Sequence, residues 1–364
     1  MFGRLLTSPW VWLAWAAGSA GLTLPALLWH LDYFATYGPQ FRQYFPVLAL
    51  LLGVACAVYV HLRAKGFWRY ELTSLAGMAL AALLVYQLWI HSAEARTKFG
   101  WNFFVTNTWD PVAGDFGALP FIYGTLVTSA VALVIAIPLG VGAAIFLAEL
   151  APPKLSASLT FVSDLLAAVP SVIYGLLGVF LLVPLMRTTI QPVLKKTLGF
   201  LPLFRGPTYG IGFLTAGMVL AIMVVPFVLS VSREVLLAVP RDQREAALAL
   251  GATKWESTWK VVVPAARIGI FGSVFLALAR ALGETMAVTM VIGNNPTISA
   301  SLFSPGYSIA AVLANEFSEA TGNLYLSALI ELGLVLFLLT FVLNGLARLL
   351  ILATTARGSG VLPS

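Results

Sequence analysis

Charge is what this sequence has least of. Only 10% of its 364 residues are Asp, Glu, Lys or Arg, against about 25% in a soluble domain. So few charges cannot give a chain of this length a polar surface, which excludes an ordinary water-soluble globule. Cysteine is nearly absent. Cys56 stands alone in an apolar run, so an intramolecular disulfide is excluded and a cysteine metal site is disfavoured. The three histidines, His30, His61 and His91, each fall near the end of an apolar run. Two are expected on one side of a membrane and one on the other, which argues against a shared metal. There is no G-x-x-x-x-G-K-S/T phosphate loop, so the chain does not bind ATP by that route, and no H-E-x-x-H occurs. The sequence therefore offers no catalytic, cofactor-binding or metal residues.

Hydrophobic residues make up 60% of the chain, and the mean hydropathy is +0.92. A bilayer core needs about 20 apolar helical residues. Eight runs qualify, at about 9–30, 44–62, 71–92, 121–149, 162–186, 209–232, 265–293 and 323–350. Helix is the expected state, because backbone in lipid must satisfy itself and no barrel-like alternation appears. The expected fold is an all-α integral membrane protein, a polytopic bundle of about eight transmembrane helices. The first run follows Arg4 and is longer than a signal-peptide core, so it reads as a retained span.

The net charge of +6 reads as topology and not as nucleic-acid binding. Arg63, Lys65 and Arg69 fall on one side, with Arg233, Arg241, Arg244, Lys254 and Lys260. The positive-inside bias makes that side cytoplasmic and places both termini there. One loop dissents: residues 187–208 carry Arg187, Lys195, Lys196 and Arg205 and are expected outside. Residues 1–92 read as an accessory region of about three spans and 93–120 as an ordered extracytoplasmic loop. Residues 121–352 form the working core, with a cytoplasmic loop at 240–264, and 353–364 form a cytoplasmic tail. Pro138, Pro170 and Pro226 interrupt core spans, which membrane helices tolerate with kinks or freed carbonyls.

That cytoplasmic loop lies in the stretch "VPRDQREAALALGATKWESTWKVVVPAARIGI". Glu245-Ala246-Ala247 open a short helix, and Gly251 ends it, because glycine takes the left-handed conformation at little cost. "TKWESTW" begins a second helix, and Pro264 starts the next span. Two short helices about a glycine turn make a knob suited to a partner's groove. A second stretch, "ALARALGETMAVTM", puts Arg280 and Glu284 inside an apolar run. Four residues apart, they share one face of a helix about 6 Å apart along its axis. A charge in mid-membrane costs about 2.5–3.5 kcal/mol on the lenient scale. The two are expected to pair or to face a polar cavity. Thr285 and Thr289 share that helix, and Ser171 follows Pro170, where a distorted backbone exposes donors. Thr125, Thr128 and Ser129 are weaker candidates, for which bonds within the bundle compete. Glu331 either pairs with a basic residue on another helix or lies near the outer interface.

The loop resembles the EAA loop of ABC importer permeases. Glu245, Ala246, Ala247, Gly251 and Pro264 stand in that register, with Val261 and Val263 where the pattern has Ile and Leu. "ALGETMAVTMVIGN", "WDPVAGDFGALPFIYGTLVTS" and "LLAAVPSVIYGLLG" resemble the PstC family of phosphate-specific permeases over about 105–350. The first 92 residues exceed that family's expected length by about two spans. The resemblance implies a type I, MetI-like permease core in a bacterial cytoplasmic (inner) membrane, with no ATPase site of its own. It implies a PstA-like second permease in a heterodimer, a PstB-like ATPase dimer on the EAA loop and a PstS-like phosphate-binding protein outside. It also implies inorganic phosphate as the ligand passing Arg280, Glu284, Thr285, Thr289 and Ser171. A structural ion pair, another oxyanion such as sulfate or molybdate, and an ion-coupled secondary transporter remain as alternative readings.

Overall fold

Hydropathy and helix-breaking residues together decide where each span starts and stops. The computed structural model describes residues 68–356. The expected spans 9–30 and 44–62, with Cys56, His30 and His61, lie outside the described residues. The chain divides between His91 and Ser92 into two units. In the first, helix α1 (Trp68–His91) covers the run expected at 71–92.

In the second unit, five described helices are long and apolar enough to cross a membrane: α3 (Leu119–Leu150), α5 (Ser171–Leu198), α6 (Phe213–Leu237), α8 (Lys254–Leu282) and α11 (Asn323–Ala356, apolar to Leu346). Shorter helices connect them: α2 (Ala93–Phe99), α4 (Pro153–Ala167), α7 (Arg241–Ala249), α9 (Met286–Ile292) and α10 (Ile309–Glu316). Two expected spans are thus corrected. The run 162–186 is two helices, α4 and α5, separated at Ala168–Pro170, because proline disfavours helical backbone in the residue before it. The run 265–293 is α8 and α9, interrupted at Gly283–Thr285. Hydropathy does not register either break, since the flanking residues stay apolar.

Prolines shape the spans in a second way. Four π-turns occur among the described residues, at Phe146–Leu150, Gly178–Leu182, Met186–Ile190 and Thr258–Val262. Each ends two residues before a proline: Pro152, Pro184, Pro192 and Pro264. A proline lacks the N–H for the ladder, and its ring collides with the carbonyl four residues back. Bonding the preceding residue five back, as Val263 N–H does to the Thr258 carbonyl, widens the turn and makes room. Pro264 therefore does not start a span. It lies inside α8, which runs unbroken from Lys254. Pro138 and Pro226 sit within α3 and α6 without such a turn.

Helix α6 is the axis of the core, buried along most of its length. It packs on α3, which presents Ala132, Ala136, Gly140 and Ala144, all buried and spaced by four. Small residues at that spacing let two membrane helices approach closely. The segment 93–120 is ordered at the end of the bundle where α3 begins. It holds α2, a 3-10 turn and a two-residue antiparallel ladder pairing Trp109 with Phe116. Trp109 packs edge-on against Phe116 and Phe121, each at 4.8 Å. Trp109 Nε1 and Tyr325 Oη both donate to Glu316 Oε2, at 2.8 and 2.7 Å. Glu331 is buried at 4% exposure, and its Oε2 lies 3.7 Å from an Arg96 nitrogen. Of the two readings for Glu331, the structure forms the cross-helix pair.

Candidate translocation site and coupling loop

The coupling loop is built as two helical segments around one turn. Pro240 precedes α7, which ends at Ala249, and Gly251 takes φ +88°. A Cβ at Gly251 would meet nothing within 4 Å, so the backbone conformation alone calls for glycine. Thr253 then caps α8 in a reciprocal box: its hydroxyl accepts from Glu256 N–H at 3.2 Å, and Glu256 Oε2 accepts from Thr253 N–H at 3.0 Å. Ala247 is buried, while Glu245, Ala246, Gly251 and Pro264 are exposed. Leu250, at the tip, is 90% exposed. Beside it runs a groove of about 580 Å³ lined by Ala246, Leu250, Ala252 and Val261 among others.

Two residues that sequence reasoning missed anchor this loop. Arg244, next to Glu245, spreads its guanidinium over three elements. Its Nε lies 3.2 Å from both Glu149 oxygens, and Nη2 donates to Glu149 Oε1 at 2.8 Å. Nη2 also donates to the Leu236 carbonyl at 2.7 Å, and Nη1 donates to that of Val239. The last carbonyls of α6, the end of α3 and the start of α7 thus meet on one cation. The available signal was a lone carboxylate, Glu149, just before Ala-Pro-Pro at a span's end. Its partner lies 95 residues on, a separation that no local pattern reveals.

Arg280 sits near the end of α8 and is exposed on the surface of the chain. Its guanidinium stands over the Phe227 ring of α6 at 5.8 Å, a cation–π arrangement. No carboxylate pairs with it among the described residues. Glu284 is not on the same helix. It falls in the break, where Oε1 accepts the Ala287 N–H of α9 at 3.2 Å. The expected shared face and ion pair are therefore corrected: Gly283 ends α8 before Glu284 can stack below Arg280. Thr285 and Thr289 hydroxyls donate to the Gly283 and Thr285 carbonyls, at 3.3 and 2.7 Å. Ser171 opens α5 beyond the Pro170 break. Gly175 lets α5 lie on α9, since a Cβ there would be 2.5 Å from Met290 Sδ and 3.1 Å from Ala287 Cα. Tyr174 Oη ties α5 back to the Leu166 carbonyl of α4 at 2.7 Å. Thr125 and Thr128 are buried and donate to their own helix. Thr125 also accepts from Ile309 N–H at 3.0 Å, pinning α10. At the same end, burial pushes the Tyr307 phenol up to about 12, so it keeps its proton and accepts Asn315 Nδ2 at 3.0 Å throughout the neutral range.

Broken apolar helices, a guanidinium with free donors on a spanning segment and a docking knob at one end define a polytopic membrane transport subunit. The model of the binding-protein-dependent transport system inner membrane component family matches residues 136–354, and the chain belongs to that family. It is 48% identical over 290 residues to the phosphate transport system permease protein PstC of Mesorhizobium japonicum, covering 79% of this chain and 87% of that one. The PstC proteins of Xylella fastidiosa and Haemophilus influenzae are 48% and 50% identical, over 80% and 76% of this chain and 91% and 89% of theirs. A solved methionine ABC transporter, MetNI, matches 65% of this chain and 94% of its own at 19% identity, with a TM-score of 0.43.

Proposed function

We infer that this chain is the permease subunit of an ATP-driven importer of inorganic phosphate. The observation that carries the reading is Arg280. An exposed guanidinium on a spanning helix, without a carboxylate partner, is costly against lipid. It is supportable where a second subunit closes a polar path over it. Phosphate oxygens match its fork of donors. The PstC names of relatives at 48–50% identity favour phosphate over sulfate or molybdate as cargo. In this reading, dissolved phosphate passes Arg280, and Glu284, held at the break, faces the same path with Thr285, Thr289 and Ser171.

Coupling runs through the knob. Its apolar tip and groove suit a cleft on a separate PstB-like ATPase dimer, with Glu245, Ala246, Ala247 and Gly251 at the contact and Pro264 setting the helix behind it. A PstA-like permease completes the heterodimer, and a PstS-like protein delivers phosphate outside. ATP binding closes the ATPase dimer, the knobs move and the bundle opens outward; hydrolysis resets it. The knob side is then cytoplasmic and holds both termini.

The test is uptake of labelled phosphate into vesicles carrying the four-component complex, with and without internal ATP. ATP-dependent uptake by the parent, lost in Arg280→Ala with assembly and ATP binding intact, is the expected result. An assembled complex that moves no phosphate would overturn the assignment.

A further inference from the structure

The dissenting basic loop is not used by the transport reading. Arg187, Lys195 and Lys196 lie in the C-terminal half of α5, where the sequence predicts a loop, and Arg205 lies between α5 and α6, at the end of the bundle opposite the knob. Positive charge on the outer side works against the charge bias that orients membrane helices, so its presence there asks for a use. No Asp or Glu occurs between Asp164 and Glu234. Among the described residues, none of the four cations forms an ion pair.

Their hydrogen bonds shape the loop without neutralising it. Lys195 Nζ donates to the Gly206 carbonyl at 2.8 Å. Arg205 Nε and Nη2 donate to the carbonyls of Gly199 and Phe200, at 3.1 and 2.9 Å. The Lys196 ammonium has no hydrogen-bond partner among the described residues. The loop is held from behind: Leu302 N–H donates to the Leu203 carbonyl at 2.8 Å, and Ser301 Oγ donates to that of Arg205. The result is an open surface pocket of about 360 Å³, lined by Lys195, Lys196, Thr197, Phe200 and Arg205 among others. An apolar skirt surrounds it. Val193, Phe200, Leu201 and Leu203 are exposed, Phe200 at 68%. A dissolved anion has no use for that skirt, whereas an amphiphile lays its chains on it and its headgroup in the cationic cavity.

We propose that this cavity binds the headgroup phosphate of an anionic phospholipid in the outer leaflet. The outer placement rests on the importer reading; the binding chemistry does not. Each Lys or Arg near an anionic surface contributes about 1 kcal/mol, or about fivefold in affinity. The test uses the full chain assembled with its permease partner in nanodiscs of phosphatidylcholine doped with phosphatidylglycerol. Retained lipid is counted by native mass spectrometry. Lys196→Gln is the informative variant, because the ammonium it removes holds no part of the loop. The parent should retain phosphatidylglycerol over phosphatidylcholine, and the variant should retain it about fivefold more weakly with its thermal unfolding unchanged. Equal retention of the two lipids, or no effect of the variant, overturns the proposal. Displacement of the lipid by millimolar dissolved phosphate would reassign the cavity to the free ion. Loss of binding-protein docking in the variant, with lipid retention intact, would reassign it to an acidic protein face. A parent that holds phosphatidylglycerol yet moves no phosphate leaves this site standing and removes the transport reading.

Discussion

Arg244 and Arg280 are both guanidiniums, and their surroundings give them opposite tasks. Arg244 spends its donors on Glu149 and on two helix-end carbonyls. With the side chains of the pair 19% and 10% exposed, breaking it should cost about 2–3 kcal/mol, between surface and buried values. Glu149→Gln should therefore raise hydrogen exchange in 241–250 before it changes the melting of the whole bundle. Arg280 forms no ion pair among the described residues and stands over Phe227; in the proposed reading its donors meet phosphate. Arg280→Lys keeps the charge but loses the planar fork, so uptake should fall at least tenfold with assembly intact. Uptake at the parent level would make geometry irrelevant at that position.

At the scale of elements, hydropathy reveals the runs and conceals their breaks. The two-helix knob was legible because its features are local, above all a glycine at fixed distance from Glu245-Ala246-Ala247, although α7 begins at Arg241 and those three residues lie inside it and do not open it. Gly251→Ala should cost about 1–2 kcal/mol of left-handed strain and weaken ATPase-subunit binding, read directly by co-purification. The Gly283–Thr285 break was not legible, since Ala281, Leu282 and Met286 continue the apolar pattern across it. The contact between Glu331 on α11 and Arg96 on α2 was open on sequence, because 235 residues separate the two positions (331 minus 96). It carries an asymmetric prediction. Arg96→Ala leaves a buried carboxylate without its cation, at a cost of about 1–3 kcal/mol, since the pair is longer and its arginine more exposed than in Arg244–Glu149. Glu331→Gln removes the charge itself and should lower the melting temperature less. Equal losses would show that the two residues do not act as a pair.

At the scale of the bundle formed by the second unit, the two ends are chemically distinct. One gathers the knob, Arg244 and Glu149; the other gathers the aromatic cluster around Trp109 and the basic loop. That polarity was readable from the alternation of loops. What each end holds together was not, because it depends on contacts between residues far apart in sequence. The spans 9–30 and 44–62 lie outside the described residues.

The widened turn at Thr258–Val262 lies between the knob and Arg280, and it contains one residue more than an α-turn. One residue is about 100° of helix rotation. The turn therefore sets the azimuth of everything from Val263 to Leu282 relative to the docking surface. Pro264→Ala, so that an ordinary turn can close over the same residues, would preserve the span's length and every charged group. It would also swing Arg280 by about a quarter turn away from Phe227. Such a variant is expected to insert and to hold its ATPase while taking up no phosphate. Deleting Trp259 as well should restore the phase and recover uptake, which would identify rotational phase as the quantity that a proline and its neighbouring turn encode.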